Sequence, residues 1–501
     1  MTVAVYNPAE PSAAYGVMKP RLTVLRAVWG GTETLRAGAR EYLPAYPKES
    51  NKAWDNRFAR ARLRRNMFRQ SVERITGRIF EVPVKLNAPK GAKQVPAQGE
   101  VFADDADRRG HSLDRLARRL YAGALKLGLM YAFVDYPVVQ AANLAEERAA
   151  AARPYVVVLE PEQVIRHYEV DGQTVHLAWV TTDTEWDEAL GAQVVTERVH
   201  ERFPGRWKTW RRVAQNATII PLNMGGVLND GNWVVEAEGF VTQQRIMVHP
   251  LYAEEETTGV GRTPLTEVAD LTLEHYQIAS DYRNCLTNVL FPILYATGVD
   301  TAKIAATPIG PDTILGSDKP EAKFGYLEHN GKALEAGYKD LESLEQRAEA
   351  YAGQLTKPTG DVKATTSAIN SAEVSSFAKD LAQTLQDVLQ AICDDAALWY
   401  GVDSIGRPEV NMDFAVDLPD GDLAHLQSMR SSGDISRDTM WRESSRRNVL
   451  SRDFDPEEER KLLETEEAEG MEREKEAMRF ASGLKEETGS GAPTPAKEDV
   501  E

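Results

Sequence analysis

Cysteine is nearly absent, with only Cys285 and Cys393 in 501 residues. Two distant cysteines exclude a disulfide framework and a Cys-x-x-Cys metal site, and make a reducing cytoplasm the expected place of synthesis. The eight histidines (His111, His167, His176, His200, His249, His275, His329 and His425) form no HExxH pattern and no paired ligand spacing, and no GxSxG nucleophile elbow occurs. No run is long and apolar enough to cross a bilayer, and Met1 to Ser12 shows no basic stretch followed by an apolar core, so neither a membrane span nor a secretory signal is expected. Positive charge is in deficit: 59 Lys and Arg against 77 Asp and Glu leave a net charge of −18. A protein that grips nucleic acid broadly needs clustered cations to neutralise phosphates, so that class is disfavoured. A passage through which DNA slides past repelling walls fits the same charge, as does an ordinary acidic soluble protein.

Partial motifs fail on their chemistry. Gly325 to Lys332 approximates a phosphate-binding loop, but the spacing to Gly331 is one residue too long, and Ala333 stands where Ser or Thr should hold magnesium. Asp453, Asp455 and Glu464 have the ends of a calcium loop, yet Glu458 occupies the place where glycine must make the sharp turn. Asp394 and Asp395 are adjacent on an expected helix and so face different directions, which makes a poor catalytic dyad. The expectation is a chain with no catalytic residue, no metal and no cofactor.

What is present is helical periodicity on a large scale. A chain of this length holds about three domains at ~150 residues each. The stretch from Gly261 to Gly401 organises it. Thr263 is placed to cap a helix and Pro264 to open it; Leu265, Val268, Ala269, Tyr276, Ala279, Tyr282, Leu286 and Val289 then recur at helical spacing until Pro292. From Pro292 to Gly331 proline and glycine punctuate short apolar runs at Ile293 to Tyr295 and Phe324 to Leu327, which read as strands and turns. Helical period returns at Leu334, Tyr338, Leu341, Leu344, Ala348, Tyr351 and Leu355, breaks at Lys357-Pro358-Thr359-Gly360, and resumes with Val374, Phe377, Leu381, Leu385, Val388, Ile392, Ala396 and Trp399.

Around this centre, residues 1 to 50 read as irregular. One helix is expected to carry Trp54, Phe58, Ala61, Phe68, Val72, Ile75 and Ile79, with Arg57, Arg60, Arg62, Arg64, Arg65, Arg69, Arg74 and Arg78 mostly on other faces. Those arginines either meet DNA or acidic neighbours, or pair with the chain's own carboxylates. Ser112 should cap a helix ending near Gly128, and residues 80 to 250 read as mixed α and β, with strands at Tyr131 to Tyr136, Tyr155 to Leu159, Val175 to Thr181, Val194 to Phe203, Trp207 to Val213 and Asn232 to Val241. Trp207, Trp210, Arg211 and Arg212 read as cross-strand pairs on a half-buried sheet or as a stacking platform for nucleic acid. Pro408 to Val416 reads as a strand. Ser436 and the run Asp455-Pro456-Glu457-Glu458 mark later helix starts, and beyond Gly470 the composition points to a chain without order.

The order of helix, small insert, helix, Thr/Lys/Gly loop and long helix resembles the stem, clip, stem, tunnel loop and wing helix of tailed-bacteriophage portal proteins, the head-to-tail connector. It is particularly similar to a portal-like family long catalogued as a domain of unknown function. Arg262-Thr263-Pro264-Leu265, Asp281-Tyr282-Arg283-Asn284, Phe291-Pro292-Ile293-Leu294, Ala364-Thr365-Thr366-Ser367-Ala368 and Gly433-Asp434-Ile435-Ser436 carry the resemblance. It implies an α+β portal fold: an N-terminal region and mixed α/β wing over 1–260, stem helices over 261–291 and 332–355, and a small α/β clip over 292–331. A tunnel loop, long wing helix and strand would follow over 356–420, a helical crown over 421–470 and a disordered acidic tail over 471–501.

The resemblance further implies a homo-oligomeric, dodecameric ring at one vertex of the virion capsid, assembled in the host cytoplasm. Double-stranded DNA would pass through it, and its partners would be the large terminase, the major capsid and scaffolding proteins and a head-tail adaptor, with no membrane. Glu267, Asp270, Glu274 and Asp281 would form an acidic stem wall. Lys357, Thr359, Lys363 and Thr365 would belong to the tunnel loop near DNA, the two lysines otherwise being exposed loop residues. The chain would then be no enzyme. Two other classes stay open: another phage head or adaptor structural protein, and an enzyme using unrecognised carboxylates.

Overall fold

Ser12 opens the first helix, its hydroxyl accepting the Tyr15 N–H, and α1 (Ala13–Gly30) buries Tyr15, Met18, Leu22, Leu25 and Val28 on one stripe. A short α2 (Thr32–Ala37) follows. Residues 13 to 37 are therefore helical rather than irregular as expected, while residues 38 to 50 hold turns. Gly16 and Pro20 lie inside α1, but both sit exposed, where a carbonyl that lacks the proline N–H can be hydrated. The computed structural model describes residues 6–137, 152–188, 191–214, 233–290, 293–298, 319–327, 332–353, 364–412, 421–446, 454 and 456–487. Two compact units meet in the chain between Met412 and Asp413.

The single arginine-rich helix expected from Trp54 to Ile79 is two, α3 (Asn51–Arg60) and α4 (Met67–Ile79), each opened by a side-chain cap, Ser50 and Asn66. Ala61 is extended, and the break is held from outside its own sequence: Leu63 N–H donates to Thr32 Oγ1 at 3.0 Å and Asn66 Nδ2 to the Val28 carbonyl at 2.7 Å. Tertiary partners here replace helix hydrogen bonds that periodicity alone would continue.

After β1 (Lys85–Asn87) and α5 (Ala97–Asp104), Ser112 caps α6 (Leu113–Leu127) as expected. Gly128 closes it at φ +85°, and a Cβ there would lie 2.8 Å from the Arg262 backbone, so glycine is required twice over. The next strand, β2 (Leu129–Asp135), is apolar on both faces and almost wholly buried. It is the middle of a three-stranded antiparallel sheet with β3 (Tyr155–Leu159) and, later in the chain, β9 (Val248–Tyr252).

A second sheet is an antiparallel meander of five strands: β4 (Val164–Val170), β5 (Gln173–Asp187), β6 (Ala192–Phe203), β7 (Arg206–Ala214) and β8 (Val234–Phe240). The sheets join where Tyr131 meets His167 and Phe133 meets Trp179, ring centroids 5.4 and 5.3 Å apart. Trp207 and Trp210 lie in cross-strand register with Arg202 and Val199, Trp210 Nε1 donates to Glu201 Oε2 at 2.6 Å, and Arg212 pairs with Glu197 at 2.7 Å. They are sheet pairs; the stacking platform is not formed.

A short hairpin, β10 (Glu254–Thr257) and β11 (Val260–Arg262), leads to α7 (Thr266–Leu290). Strands β12 (Ile293–Thr297) and β13 (Lys323–Leu327) pair antiparallel, and α8 (Lys332–Gly353) returns beside α7. The long α9 (Ala364–Tyr400) packs against β9, β2 and α6. Of the strand expected at Pro408 to Val416, β14 (Arg407–Glu409) is formed, paired with β1; residues 413–420 lie outside the described residues. The first unit is thus mixed α+β, with a core between the sheets, α1, α4, α6, α7 and α9.

The second unit holds α10 (Gly421–Ser432), α11 (Arg437–Arg446) and α12 (Pro456–Glu487). Ser436 caps α11 through the Thr439 N–H at 3.1 Å. The disorder expected from residue 471 is not what residues 471–487 show, since α12 runs through them; residues 488–501 lie outside the described residues. Little apolar surface is buried there, Leu462 and Met471 being well exposed. Glu, Lys, Arg, Ala and Met are strong helix formers, and pairs such as Glu469 with Arg473 at i, i+4 support a helix that needs no core.

Two buried histidines make this architecture acid-sensitive. Burial pushes His167 down to about 4, and Glu169 Oε1, 3.1 Å from its Nε2, does not offset it. His200 is pushed to about 4 by burial, assisted by Arg202 and Arg198, while its ring stacks on Trp179. Unfolded histidine titrates near 6.5, so between these values the unfolded chain binds more protons and stability falls as pH falls. Each ring should cost about 2 kcal/mol by pH 5 relative to pH 7. Urea unfolding across this range should show the slope, and H167Q/H200Q should flatten it; an unchanged slope would assign the acid sensitivity to other groups.

Candidate functional site

The helix pair α7–α8 starts from a buried threonine. Thr263 Oγ1 accepts the Leu265 N–H at 3.1 Å and donates to the Leu125 carbonyl at 2.5 Å, so the expected cap also ties the start of α7 to α6. Along α7 the buried stripe is Val268, Leu271, Thr272, His275, Tyr276 and Ala279, facing Leu341, Leu344 and Ala348 of α8 and the N-terminal helices. Tyr338 and Tyr351, expected on the apolar stripe, are about half exposed instead. Their amphipathic rings tolerate the rim of a two-helix contact.

Polar groups fix the pair to the rest of the first unit. Thr272 Oγ1 accepts the Phe68 N–H at 3.1 Å. His275 is buried, its Nε2 3.1 Å from Glu345 Oε1 across the helix pair; burial lowers its pKa, with Glu345 opposing. Arg65 reaches Glu345 and Glu349 on α8 at 3.2 and 2.5 Å. Arg57, with only 2% of its side chain exposed, holds Glu49 by two N–H groups at 3.1 and 2.8 Å, the Pro44 carbonyl at 2.8 Å and Asp281 at 2.9 Å, while its guanidinium lies over the Tyr46 ring. Arg57 holds the Glu49 carboxyl below its usual range, and burial, aided by Asp281, pushes the Tyr46 hydroxyl up to about 12. The arginines of α3 and α4 with resolved ion pairs thus pair within the chain, Arg69 with Glu73 included.

The expected acidic wall divides. Glu267, Asp270 and Glu274 are exposed at i, i+3 and i+7, hence on one face of α7. Partial burial raises the Asp270 pKa, with Glu267 adding to it and Arg262 opposing. The Tyr351 hydroxyl donates to Glu267, which raises the tyrosine pKa. Asp281 leaves this row: its charge is compensated by Arg57. Lys357, Thr359 and Lys363 lie outside the described residues, and Thr365 stands in the first turn of α9 rather than in a loop.

Among the described residues no group of three or more His, Cys, Asp or Glu could hold a metal ion, and no helix is long and apolar enough to cross a membrane. Cys393 is buried, which pushes its thiol up to about 12 and leaves it unreactive. Asp394 and Asp395 diverge as their spacing requires: Asp394 is exposed and bonded to Gln390, while Asp395 is buried and holds Arg245 and His249, the latter at 2.7 Å.

Sequence reasoning missed His275–Glu345 and the Arg57 cluster. His275 was detectable, since it falls on the apolar stripe beside Tyr276 and a polar residue there must find a partner. Nothing local in the sequence pairs Arg57 with Asp281.

Residues 264–400 match a family model described as Domain of unknown function (DUF4055). No curated protein matches the chain. Among solved structures, a chain from the neck of a native GTA particle computed with C12 symmetry is 13% identical, covering 84% of this chain and 99% of that one at a TM-score of 0.37. A chain from the virion of a native gene transfer agent particle is 12% identical over 80% and 94%, at a TM-score of 0.37. A third, from the neck of an empty GTA particle computed with C6 symmetry, is 12% identical over 81% and 96%, at 0.38.

The Arg57 cluster is the anchor to test. Replacing it by methionine strands Glu49 and Asp281, and R57M should lower stability by roughly 3–5 kcal/mol in urea unfolding. A loss under about 1 kcal/mol would place the anchor elsewhere. L341D, which puts an unpaired charge between α7 and α8, should cost at least as much.

Proposed function

We propose that this chain is a phage portal protein: a ring of identical copies at one capsid vertex, a conduit for double-stranded DNA during packaging and ejection, and a docking platform for terminase and tail or head-completion proteins. The observation that carries this reading is the order of elements within residues 264–400. Two long antiparallel helices, α7 and α8, bracket the paired strands β12 and β13, and the long α9 follows; the family match covers this same stretch. In the reading, α7 and α8 are the stem, β12 and β13 the base of the clip, and α9 the wing helix.

The charge supports a conduit rather than a clamp. Helix α7 carries four carboxylates against one cation, Arg283, and three of the four are exposed on one face. Repeated around a ring, that face would repel phosphates and leave DNA free to slide. The loop before α9 would supply the contacts that hold it, through Lys357 and Lys363. ATP hydrolysis would belong to a terminase partner. The chain would act without catalysis or cofactor in the virion, as a dodecamer touching capsid, scaffolding and adaptor proteins.

Negative-stain microscopy with mass measurement tests the ring. Particles should show a central hole of roughly 20 Å or more, wide enough for a duplex whose major groove alone is ~12 Å across. A monodisperse monomer that stays monomeric with capsid and scaffolding proteins present would overturn the reading. Deleting residues 357–363 should leave the ring intact while impairing DNA packaging or retention; loss of the ring itself would make the segment structural.

A further inference from the structure

Helix α6 has a face that the portal reading leaves unused. Leu113, Leu116, Ala117, Leu120, Tyr121, Ala124 and Leu127 are buried, and the opposite face presents Arg115, Arg118 and Arg119, all exposed. At i, i+3 and i+4 these three are neighbours on one face. The loop feeding the helix adds Arg108 and Arg109, also exposed. Among the described residues, no ion pair reaches any of the five. The chain has 18 more carboxylates than cations, and Arg57, Arg65 and Arg69 are paired; what distinguishes these five is that they lie together on one ridge.

The carboxylates of the loop and of α6 are engaged elsewhere. Asp105 accepts the Gly110 N–H and pairs with Arg153; Asp107 accepts the Arg109 N–H and binds His111; Asp114 accepts the Val84 N–H at 2.7 Å. These bonds fix the loop, with Arg108 at φ +58°. Two of the guanidiniums rest on rings, Arg108 over Tyr155 at 5.6 Å and Arg118 over Phe80 at 5.9 Å, which orders their planes while leaving N–H groups toward solvent. We propose that the exposed face of α6, with Arg108 and Arg109, binds the phosphate backbone of duplex DNA, as a site separate from the loop before α9.

Phosphate is favoured over an acidic protein surface by what surrounds the arginines. A protein–protein contact has a core enriched in aromatic residues and depleted of charge. On this ridge the aromatics, Phe80 and Tyr155, lie beneath the guanidiniums, and what faces outward is arginine. Interfaces with nucleic acid are the more polar and more positive kind. Arginine, rather than lysine, supplies all five cations, and its planar fork matches phosphate oxygens bidentately.

The test is titration of a short labelled DNA duplex with the full chain at several salt concentrations. Three phosphates bound by the helix arginines give a slope of about −2.7 in log K against log salt, so affinity should fall about 40-fold over a fourfold rise in salt. R115A/R118A/R119A should remove most of that slope, while R60A/R62A/R64A, with the same change in net charge, should keep it; thermal melts would show both variants folded. Equal loss in both variants, or no binding by the unaltered chain at low salt, would overturn the proposal. Displacement of the duplex by polyglutamate at lower concentration than by unlabelled DNA would assign the ridge to an acidic protein and overturn it too. The proposal stands apart from ring formation, scored by mass in the same samples: a ring lacking ridge binding counts against this site alone, and ridge binding without a ring counts against the portal reading alone.

Discussion

The Arg57 guanidinium ties the segment from Pro44 to Glu49 and helix α3 to α7. Four hydrogen bonds from it go to Glu49, the Pro44 carbonyl and Asp281, and its flat face lies on Tyr46. A cation this buried is tolerable only because two carboxylates and a carbonyl replace its water. In return the arrangement fixes where α7 lies against the N-terminal helices, since Asp281 belongs to α7 and the other partners to residues 44–57. Arg65 does the same for α8, and Thr272 for the start of α4. The helix pair is thus positioned by a few directional contacts, where apolar burial alone would allow it to slide.

Such directional contacts decide how much of the fold the sequence reveals. The stripes of α6, α7 and α9 were legible because each buries one face against a continuous core, and the caps at Ser112, Thr263 and Ser436 were legible because capping chemistry is local. Helix α1 was not, because exposed Gly16 and Pro20 carry breaker chemistry at positions where it costs little. The break between α3 and α4 was not, because Thr32 and Asn66 stabilise it from residues distant in sequence or pointing away from the helix. The helical end of the chain was misread for the opposite reason: its composition cannot build a core, but a helix of good formers with i, i+4 pairs does not require one.

The candidate site was partly legible for the same physical cause. Helical spacing alone puts Glu267, Asp270 and Glu274 on one face, whatever they face. It puts Asp281 there too, yet Asp281 is neutralised by a residue more than two hundred positions away. Spacing gives direction; only tertiary structure gives the partner, and the partner determines whether a charge acts outward.

That distinction changes what the net charge means. A surplus of 18 negative charges read as a single number opposes contact with nucleic acid, but Coulomb interactions between exposed charges fade beyond about 8–10 Å at ordinary ionic strength. What a phosphate experiences is therefore the local arrangement. On α7 that arrangement is uncompensated carboxylate, and on α6 it is uncompensated arginine, in the same unit of the same chain. Elsewhere Arg21, Arg26, Arg57, Arg65, Arg69, Arg166 and Arg212 meet carboxylates. On each of these two faces unpaired charge of one sign is grouped along a single helix, so the faces carry more information about function than the total they sum to.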